Sequence, residues 1–400
     1  MNEKALGNVK VLELGQLIAG PSASRLFAEF GADVIKVETP GSGDPLRNWR
    51  VVENGTSLWW HLQGRNKKSI CIDLKTEDGQ NIIKELVKEI DILVENFKPG
   101  TLEKWNIGYE DLKAINPSLI MIRISGYGQD GPYRDKAGFG SIGEAMGGLR
   151  YLTGFPDRPP TRVGVSLGDT LASLYAVIGG LMALHHRNST PTREGQYVDV
   201  ALYEAIFSTL ESTLSEYDFA NIIRERTGST LPGITPSSTY LCKDGKYVVI
   251  GANGDSIFKR LMNIMNMPHY AEDDRFSTNA KRSMHAEHLD EVIENWTKEH
   301  TLEEVLDKLE KANVPSGSIY SIEDIVQDPH YQARNMIEEH EIEQLGKLKI
   351  PGIVPKLSKT PGRTEWTGPK LGEHTETVLQ ERLNLAKEEI HQLKEKGIID

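Results

Sequence analysis

The first 125 residues alternate between short apolar runs and stretches whose apolar positions recur at helical spacing. The runs that predict strands are "VKVLEL" from Val9, "DVIKVE", "SICIDL", "DILVEN" and "LIMIRIS" at 119–125. The segments that predict helices between them are "SASRLFAEF", "TEDGQNIIKELVKEI" and residues 109–115. Strands that are apolar throughout and alternate with amphipathic helices are typical of a parallel sheet covered by helices on both faces. The pattern therefore predicts an α/β fold.

The pattern changes near residue 225. The stretch "TPSSTYLCKDGKYVVIGANGD" predicts a hairpin that turns at Asp244–Gly245, and a charged helical region follows to about Ala312. A strand- and loop-like segment comes next, and then a helical tail that we expect to pack back on the first domain. The division that this suggests is 1–224 for the first part of a large domain, 225–325 for a small α+β domain and 326–400 for a return to the large domain.

One acidic residue, Asp169, precedes a long and almost uncharged segment in "RVGVSLGDTLASLYAVIGGLMALHHR", residues 162–187. Asp is a favoured helix N-cap, so the residue could simply start a helix at Thr170 or Leu171. The same position suits a nucleophile, because a helix N-terminus favours the ionised carboxylate and Gly168 would let a substrate approach closely. The residues alone leave both interpretations open.

Composition narrows the class of protein. The formal net charge is −12, from 46 Lys and Arg against 58 Asp and Glu, which argues against non-specific nucleic-acid binding. Cys71 and Cys242 are too few for a disulfide framework and fit a reducing compartment. The longest apolar run, near 170–184, is shorter than the roughly 20 residues of a membrane-spanning helix. We expect a cytoplasmic protein without nucleic-acid or membrane partners.

Phosphate-binding signals are mixed. Only Gly15 and Gly20 lie between the first strand and helix, so the G-x-G-x-x-G fingerprint of dinucleotide binding is missing. Basic residues nevertheless cluster early in the chain, at Arg47, Arg50, 65–69, Lys75, Lys98 and Lys104. The cluster is either an ordinary solvated surface or a site for a phosphate-bearing ligand beside the sheet.

Metal and histidine chemistry have little support. No histidine occurs between His61 and His185, and no H-E-x-x-H or comparable spacing is present, so we expect no metal site. The glycine-containing loop 251–255, "GANGD", follows a strand and precedes a helix. It could hold an oxyanion or a carboxylate on its backbone N–H groups, and it could equally be a plain turn.

Read in order, the motifs of this chain resemble those of the family III coenzyme A transferases, the CaiB/BaiF group. The resemblance covers nearly the whole chain. The motifs that carry it are "VKVLELGQLIAGPSASRLFAEFGADVIKVETPGSGDPLR", "NKKSICIDLK", "DILVENFKPGTLEK", "ISGYGQDGPYRDKAGF", "RVGVSLGDTLASLYAVIGGLMALHHR", "GQYVDVALYEA" and "LGEHT".

The resemblance implies a large Rossmann-like domain built from both ends of the chain, a small domain between them, and two interlocked subunits. It implies that Asp169, in the "GD" motif, is the nucleophile, and that Gly251, Asn253 and Gly254 form a loop over the acyl substrate. Coenzyme A enters as an acyl-CoA substrate rather than as a tightly bound cofactor. The positions that the resemblance assigns to coenzyme A are Ile18, Ala19, Ile72, Asp73, Leu74, Lys75, Asn96, Phe97, Lys98, Lys104, Lys136 and Phe139.

The activity that the resemblance implies is transfer of CoA from an acyl-CoA to a carboxylic acid through anhydride and thioester intermediates on Asp169. Members that transfer between formyl-CoA and oxalate carry a Gln in the first loop and a Tyr-Glu pair, where this chain has Ile18, Phe139 and Gly140. The segment "DKAGFGSIGEAMGGLRYLTG" looks more like members that handle C4–C5 dicarboxylates such as succinate, malate, citramalate or mesaconate. A formyl-CoA:oxalate-type transferase remains the alternative.

Two other functions are compatible with the same fold. The α-methylacyl-CoA racemases of this fold use a His-Asp pair where this chain has Phe139 and Gly140, so the base needed for two-sided proton transfer is missing. A CoA-binding protein without catalytic activity would keep the cleft but would tolerate loss of Asp169.

Overall fold

The computed structural model describes residues 4–343 and 345–400, which divide into two compact units. The first unit comprises Met1–Arg150, Val163–Ala220 and Gln332–Asp400, and the second comprises Tyr151–Arg162 and Asn221–Tyr331. The small domain expected from the sequence covered 225–325 only. The second unit therefore contains a short segment, Tyr151–Arg162, that the hydrophobic pattern had left in the large domain.

Most elements follow the hydrophobic pattern. The strands are β1 (Lys10–Glu13), β2 (Asp33–Glu38), β3 (Val52–Glu53), β4 (Thr56–Ser57), β5 (Lys67–Cys71), β6 (Ile92–Glu95), β7 (Ile120–Ser125), β8 (Tyr197–Ala201), β9 (Ser237–Leu241), β10 (Tyr247–Gly251), β11 (Ser316–Ser318), β12 (Ile337–Ile342) and β13 (Gly346–Pro351). The α-helices are α1 (Ala19–Glu29), α2 (Leu58–Gln63), α3 (Glu77–Val87), α4 (Thr101–Lys104), α5 (Tyr109–Ile115), α6 (Gly140–Met146), α7 (Leu149–Leu152), α8 (Leu167–Ser189), α9 (Leu202–Phe207), α10 (Thr213–Ala220), α11 (Asp255–Ile264), α12 (Pro268–Glu272), α13 (Asn279–Ser283), α14 (Ala286–Lys298), α15 (Leu302–Lys311), α16 (Ile322–Gln327), α17 (Pro329–Ala333), α18 (Thr375–Leu383) and α19 (Lys387–Glu395). The predicted strand "SICIDL" is displaced, because β5 begins two residues earlier and ends at Cys71.

The centre of the first unit is a six-stranded parallel sheet in the order β5-β2-β1-β6-β7-β8. Counted along the chain, these strands have the order 3-2-1-4-5-6, which is that of the doubly wound dinucleotide-binding folds. The order reverses between β1 and β6, and the crevice above their carboxyl ends is where such sheets bind ligands. The predicted α/β class with a parallel sheet is confirmed.

Alternate residues of the strands supply two separate cores, one on each face of the sheet. On one face, Leu12 and Ile35 pack with α3, α5 and the two tail helices α18 and α19. On the other face, Val11 and Val34 pack with α1 and α8. The tail packs in the first unit, and Asn384 adopts a left-handed backbone (φ 54°) that breaks the single helix predicted there.

α8 is the longest helix of the first unit, with 23 residues, and by length and composition alone it could cross a membrane. Its small residues face inward: a Cβ on Gly180 would lie 2.7 Å from Cδ1 of Ile122 in β7. Its opposite side carries large apolar side chains in solvent. We call this the outer face of α8; it consists of Leu174, Tyr175, Ile178, Leu181 and Met182. α8 thus packs against the sheet on one side and leaves the other uncovered.

The second unit has its own core around an antiparallel sheet in the order β11-β10-β9. β9 and β10 form the predicted hairpin, with Gly245 in its turn at a positive φ of 76°. Helices α11, α14 and α15 supply the apolar side chains that cover this sheet. The second unit is therefore of the α+β type.

Candidate active site

The loop after β1 and the loop after β6 meet at the point where the strand order reverses. The Asn96 side chain joins them, because its Oδ1 accepts from the Gln16 N–H (2.8 Å) and its Nδ2 donates to the Gln16 carbonyl (2.9 Å). Ile18 is the N-cap of α1 and Ala19 is its first residue, and both are buried. Three of the positions assigned to coenzyme A thus lie together at the carboxyl edge of the sheet.

A buried cluster of opposite charges lies beneath this loop. Glu13 of β1 sits opposite Lys36 of β2 in the sheet, and its carboxylate contacts the ammonium groups of Lys36 (2.7 Å) and Lys67 (2.8 Å). Burial opposes ionisation of Glu13, but the two ammonium groups outweigh it and hold the pKa of Glu13 below its ordinary value. Burial also lowers the pKa of Lys67 to about 8. The cluster is a fixed set of charges and not a solvated surface.

The cluster anchors the loop that leads into α1. Leu17 has a left-handed backbone (φ 64°), which is unfavourable for a branched side chain, and its N–H donates to both carboxylate oxygens of Asp44 (3.0 and 3.2 Å). Lys36 binds Asp44 (2.8 Å) and the carbonyl of Gly15 (2.9 Å). Lys67 donates to the carbonyl of Pro21 (2.7 Å). The charges therefore hold the backbone of the loop in place.

Asp169 lies in the first turn of α8 and is not its N-cap. The helix begins at Leu167 with Ser166 at the N-cap, and the Thr170 N–H donates to the Ser166 carbonyl (3.1 Å). The N-cap interpretation of Asp169 is therefore wrong, because the helix starts earlier than the apolar pattern indicated. A carboxylate at this position still meets the positive end of the helix dipole.

Gly140 and Ala19 both lie against the start of α8. A Cβ built on Gly140 would lie 2.1 Å from Oδ2 of Asp169, so the carboxylate packs directly against the Gly140 backbone. One turn further along, the Ser173 hydroxyl lies 2.7 Å from the carbonyl oxygens of both Ala19 and Asp169. The structure thus brings Asp169 to the start of α1, beside the carboxyl edge of the sheet.

A second carboxylate, that of Glu144, contacts the residue that precedes Asp169. Glu144 of α6 has 2% of its side chain exposed, and its Oε1 accepts from the N–H of Gly168 (3.4 Å). Its Oε2 accepts from Nη2 of Arg150 (3.2 Å). Neither Glu144 nor Arg150 was predicted from the sequence. The available signal was a lone acid in the glycine-rich stretch "GFGSIGEAMGGLR".

Positions 72–75 and 96–98 flank the loop on both sides. The Asp73 N–H donates to the Ile398 carbonyl (2.8 Å), and Ile72 is buried while Leu74 is partly buried. The Phe97 N–H donates to Oε2 of Glu95 (2.8 Å). Burial raises the pKa of Glu95 to about 7, although the nearby charge of Arg123 acts to lower it. Both segments follow carboxyl ends of parallel strands, as a ligand at this edge requires.

The remaining predicted contacts are exposed side chains. Lys136 lies 3.4 Å above the ring of Tyr133, and Phe139, next to Gly140, has 66% of its surface exposed. The exposed lysines at this edge of the sheet are Lys75, Lys98 and Lys104.

The early basic cluster is not a single surface. Arg47 pairs with Glu38 (2.7 Å) and stacks on Trp60, with 3.8 Å between the guanidinium and the ring centroid. Arg65 is buried and pairs with Glu29 (2.6 Å), and Lys67 belongs to the buried cluster described above. The interpretation of this cluster as an ordinary solvated surface is therefore wrong for Arg47, Arg65 and Lys67, whose partners are buried carboxylates. Lys68 is half-buried and pairs with Asp33.

The predicted substrate loop lies in the second unit. Gly251 is the last residue of β10, Gly254 is the N-cap of α11, and the Asn253 carbonyl accepts from Nη2 of Arg282. Arg282 is fully buried and also donates to the Thr235 carbonyl (3.0 Å), so the loop is held from within its own unit. Arg282 was not predicted from the sequence.

The chemistry available at this edge is that of a carboxylate nucleophile. An ionised carboxylate at a helix N-terminus can attack an activated acyl carbon. The expected opening at Gly168 is not observed, because this glycine is buried and a Cβ there would meet Ile206 and Glu144. Within residues 4–343 and 345–400, no group of three or more His, Cys, Asp or Glu side chains is arranged to hold a metal ion. Acyl transfer through a covalent intermediate is therefore the reaction class that these residues fit.

Comparison with known proteins gives the same class. Residues 6–375 match the family described as CoA-transferase family III. The chain is 49% identical to succinyl-CoA–D-citramalate CoA-transferase of Chloroflexus aurantiacus, over 99% of this chain and 98% of that protein. It is 41% identical to the β subunit of succinyl-CoA–L-malate CoA-transferase of the same organism, over 98% of each chain.

A solved structure has the same fold. The crystal structure of a CaiB/BaiF family protein from Brucella suis superposes with a TM-score of 0.82 at 34% sequence identity, and the match covers 95% of this chain and 99% of that one. Together with the family match along almost the whole sequence, this shows that the chain belongs to family III of the CoA-transferases.

Proposed function

We propose that this enzyme transfers CoA from succinyl-CoA to a C4–C5 dicarboxylic acid of the citramalate or malate type, with Asp169 as the nucleophile. The names of the two relatives support the substrates. The observation that carries the role of Asp169 is the position of its carboxylate in the first turn of α8, against Gly140 and beside the start of α1.

The reaction runs through alternating anhydrides and thioesters. The Asp169 carboxylate attacks the thioester carbonyl of succinyl-CoA, the C–S bond breaks, and CoA leaves as a thiolate from a succinyl–aspartyl anhydride. The thiolate then attacks the Asp169 acyl carbon, which releases succinate and forms an aspartyl thioester. The acceptor carboxylate displaces the thiolate, and the thiolate attacks the acceptor carbonyl of the new anhydride. Acceptor-CoA leaves and the Asp169 carboxylate is restored without net use of protons or water.

Coenzyme A binds, in this proposal, across the crevice between the loops that follow β1, β5 and β6. Backbone at Ile18 and Ala19 lines its approach to Asp169, and the side chains of Lys75, Lys98 and Lys104 meet its phosphates. The loop after β1 supports this binding mode, because the buried charges already hold its backbone in place. Binding of coenzyme A therefore does not cost the entropy of ordering that loop, and this favours affinity. The assignment of the Gly251–Gly254 loop to the acyl substrate rests on the resemblance to the family alone.

We also propose that the protein forms a homodimer in the cytoplasm. The outer face of α8 supports a homodimer, because apolar side chains such as Ile178 (46% exposed) and Met182 (67% exposed) favour burial against a second copy. We expect light scattering to give twice the mass of one chain and Ile178→Lys to shift the protein to monomer.

The free thiols of Cys71 and Cys242 support a cytoplasmic location, which cell fractionation would test.

Two measurements test the function. Succinyl-CoA is incubated with citramalate, malate, glutarate or acetate, and the CoA esters are resolved by mass spectrometry; we expect the dicarboxylates to form new esters far faster than acetate does. Hydroxylamine added during turnover should convert Asp169 to a hydroxamate that peptide mass spectrometry locates. Asp169→Asn should abolish both signals, whereas Asp307→Asn, the same change at an exposed site on α15, should abolish neither. A new ester formed by Asp169→Asn at the wild-type rate would contradict the proposal.

A further inference from the structure

Arg150 is held close to the turn that carries Asp169 by one buried side chain. Glu144 contacts the N–H of Gly168 with one oxygen (3.4 Å) and Nη2 of Arg150 with the other (3.2 Å). Only one carboxyl group therefore separates the guanidinium from the residue that precedes Asp169. Glu144 has 2% of its side chain exposed and Arg150 has 30%, so the guanidinium is supported from inside and open on one side.

The guanidinium has unused hydrogen-bonding capacity. Its bond to Glu144 uses Nη2, and its Nε is buried without a hydrogen-bond partner among the described residues. The side chain is 30% exposed, so an acceptor on a bound ligand would reach the solvent-facing end of the guanidinium and not the buried Nε. A carboxylate is the acceptor that fits best, because Arg donors match its two oxygens in a planar fork.

We propose that Arg150 binds the second carboxylate of the substrates and so selects dicarboxylic acids; this assignment rests on the proposed function. A C4–C5 diacid that reacts at Asp169 with one carboxyl group carries the other only a few bonds away, and that charge needs a partner once water is excluded. Succinyl-CoA and the acceptor acid react at Asp169 in turn, so the same guanidinium serves both half-reactions. Glu144 is a positioning residue, since it holds Arg150 without touching the substrate.

The test compares two acyl-CoA esters of equal chain length that differ in the second carboxylate. Exchange of labelled succinate into succinyl-CoA and of labelled butyrate into butyryl-CoA is measured for the wild type, Arg150→Met, Arg150→Lys and Glu144→Gln. We expect Arg150→Met to lower kcat/KM for succinyl-CoA about 100-fold more than for butyryl-CoA, since a charge-assisted bond contributes roughly 1.5–3 kcal/mol. Arg150→Lys and Glu144→Gln should lose selectivity to an intermediate degree, mainly through KM.

The control variant is Arg275→Met, which removes an exposed arginine paired with Asp273 in the second unit and should leave the selectivity unchanged. Circular dichroism and the thermal midpoint show whether each variant is folded. If a folded Arg150→Met lost kcat/KM equally for both esters, the role of Arg150 would be wrong while the proposed function would stand. A wild type without any exchange would contradict the proposed function, and with it this inference.

Discussion

The carboxylate of Asp169 and the backbone of Gly140 are in direct contact, with no space for a side chain between them. A Cβ on Gly140 would lie 2.1 Å from Oδ2 and 2.8 Å from Cγ of Asp169. Gly140 is the first residue of α6 and Asp169 lies in the first turn of α8, so two helix starts meet at this point. The absence of a side chain at 140 therefore allows the rotamer in which the carboxylate is now found.

Gly140→Ala should inactivate the enzyme without unfolding it. The added methyl group must displace the nearest group, which is the Asp169 side chain, and misplacing a reacting group by about 1 Å can cost roughly 100-fold in rate. Overpacking of this kind costs about 1–3 kcal/mol, so a shift in the thermal midpoint should accompany the loss of kcat. Gly317→Ala is the matched control, because a Cβ there meets nothing within 4 Å. Wild-type turnover by Gly140→Ala would contradict the placement of Asp169.

Lys36→Met should destabilise the protein far more than Lys88→Met. Lys36 is 1% exposed and pairs with Glu13 and Asp44, so its removal leaves two buried carboxylates without their main partner, at a cost of about 3–5 kcal/mol. Lys88 is 56% exposed and pairs with Glu85 on the surface, where such a pair contributes roughly 0–1 kcal/mol. Urea unfolding of both variants measures the difference. Equal urea midpoints would show that the buried cluster does not stabilise the fold.

The same cluster shows why part of the fold was predictable and part was not. The strand at Asp33–Glu38 was predicted with the correct bounds, because an apolar run between polar residues is a local signal. The contact between Lys36 and Glu13 joins residues that are 23 positions apart, and it depends on the register of two neighbouring strands. A hydrophobic pattern does not contain that register, so the sequence left Lys67 and its neighbours as either a solvated surface or a phosphate site.

The residues of the candidate site were likewise predicted only in part. Asp169 stood out as a lone charge before an apolar segment, and Asn96 came from the resemblance to a family. Glu144 and Arg150 were missed because their importance lies in a chain of contacts from Gly168 outward, which no spacing in the sequence reveals. The Asp169 N-cap interpretation failed because α8 begins at Leu167, two residues before Asp169, so that Ser166 occupies the N-cap.

Cys71 should not react with alkylating reagents while the protein is folded. Its thiol is fully buried, and burial together with the charges of Asp400 and Glu38 raises its pKa to about 12. An exposed cysteine forms the reactive thiolate near pH 8.5, so raising the pH to 9 should label such a residue but not Cys71. Iodoacetamide treatment with and without urea, followed by peptide mass spectrometry, measures this. Rapid labelling of Cys71 in native protein at pH 9 would contradict the burial.

Removal of residues 398–400 should weaken both the fold and the binding of acyl-CoA. The Ile398 carbonyl accepts from the Asp73 N–H (2.8 Å), which lies in one of the segments assigned to coenzyme A, and the side chains of Ile398 and Ile399 are buried in the same core as Leu12. Fully burying an Ile side chain contributes about 1.5–3 kcal/mol, so the truncated protein should lose several kcal/mol of unfolding free energy. The KM for succinyl-CoA should rise about tenfold, since an unpaired amide at Asp73 costs roughly 1–3 kcal/mol and loosens the segment.

Ile398→Val separates the two effects of this truncation. It removes one methylene from the core, at about 0.5–1.5 kcal/mol, and keeps the carbonyl that binds Asp73. We therefore expect a lower unfolding free energy with an unchanged KM for this variant, and a higher KM only for the truncation. If both proteins kept the wild-type KM, the backbone contact between the tail and Asp73 would have no part in binding coenzyme A, and the role assigned to 72–75 would be wrong.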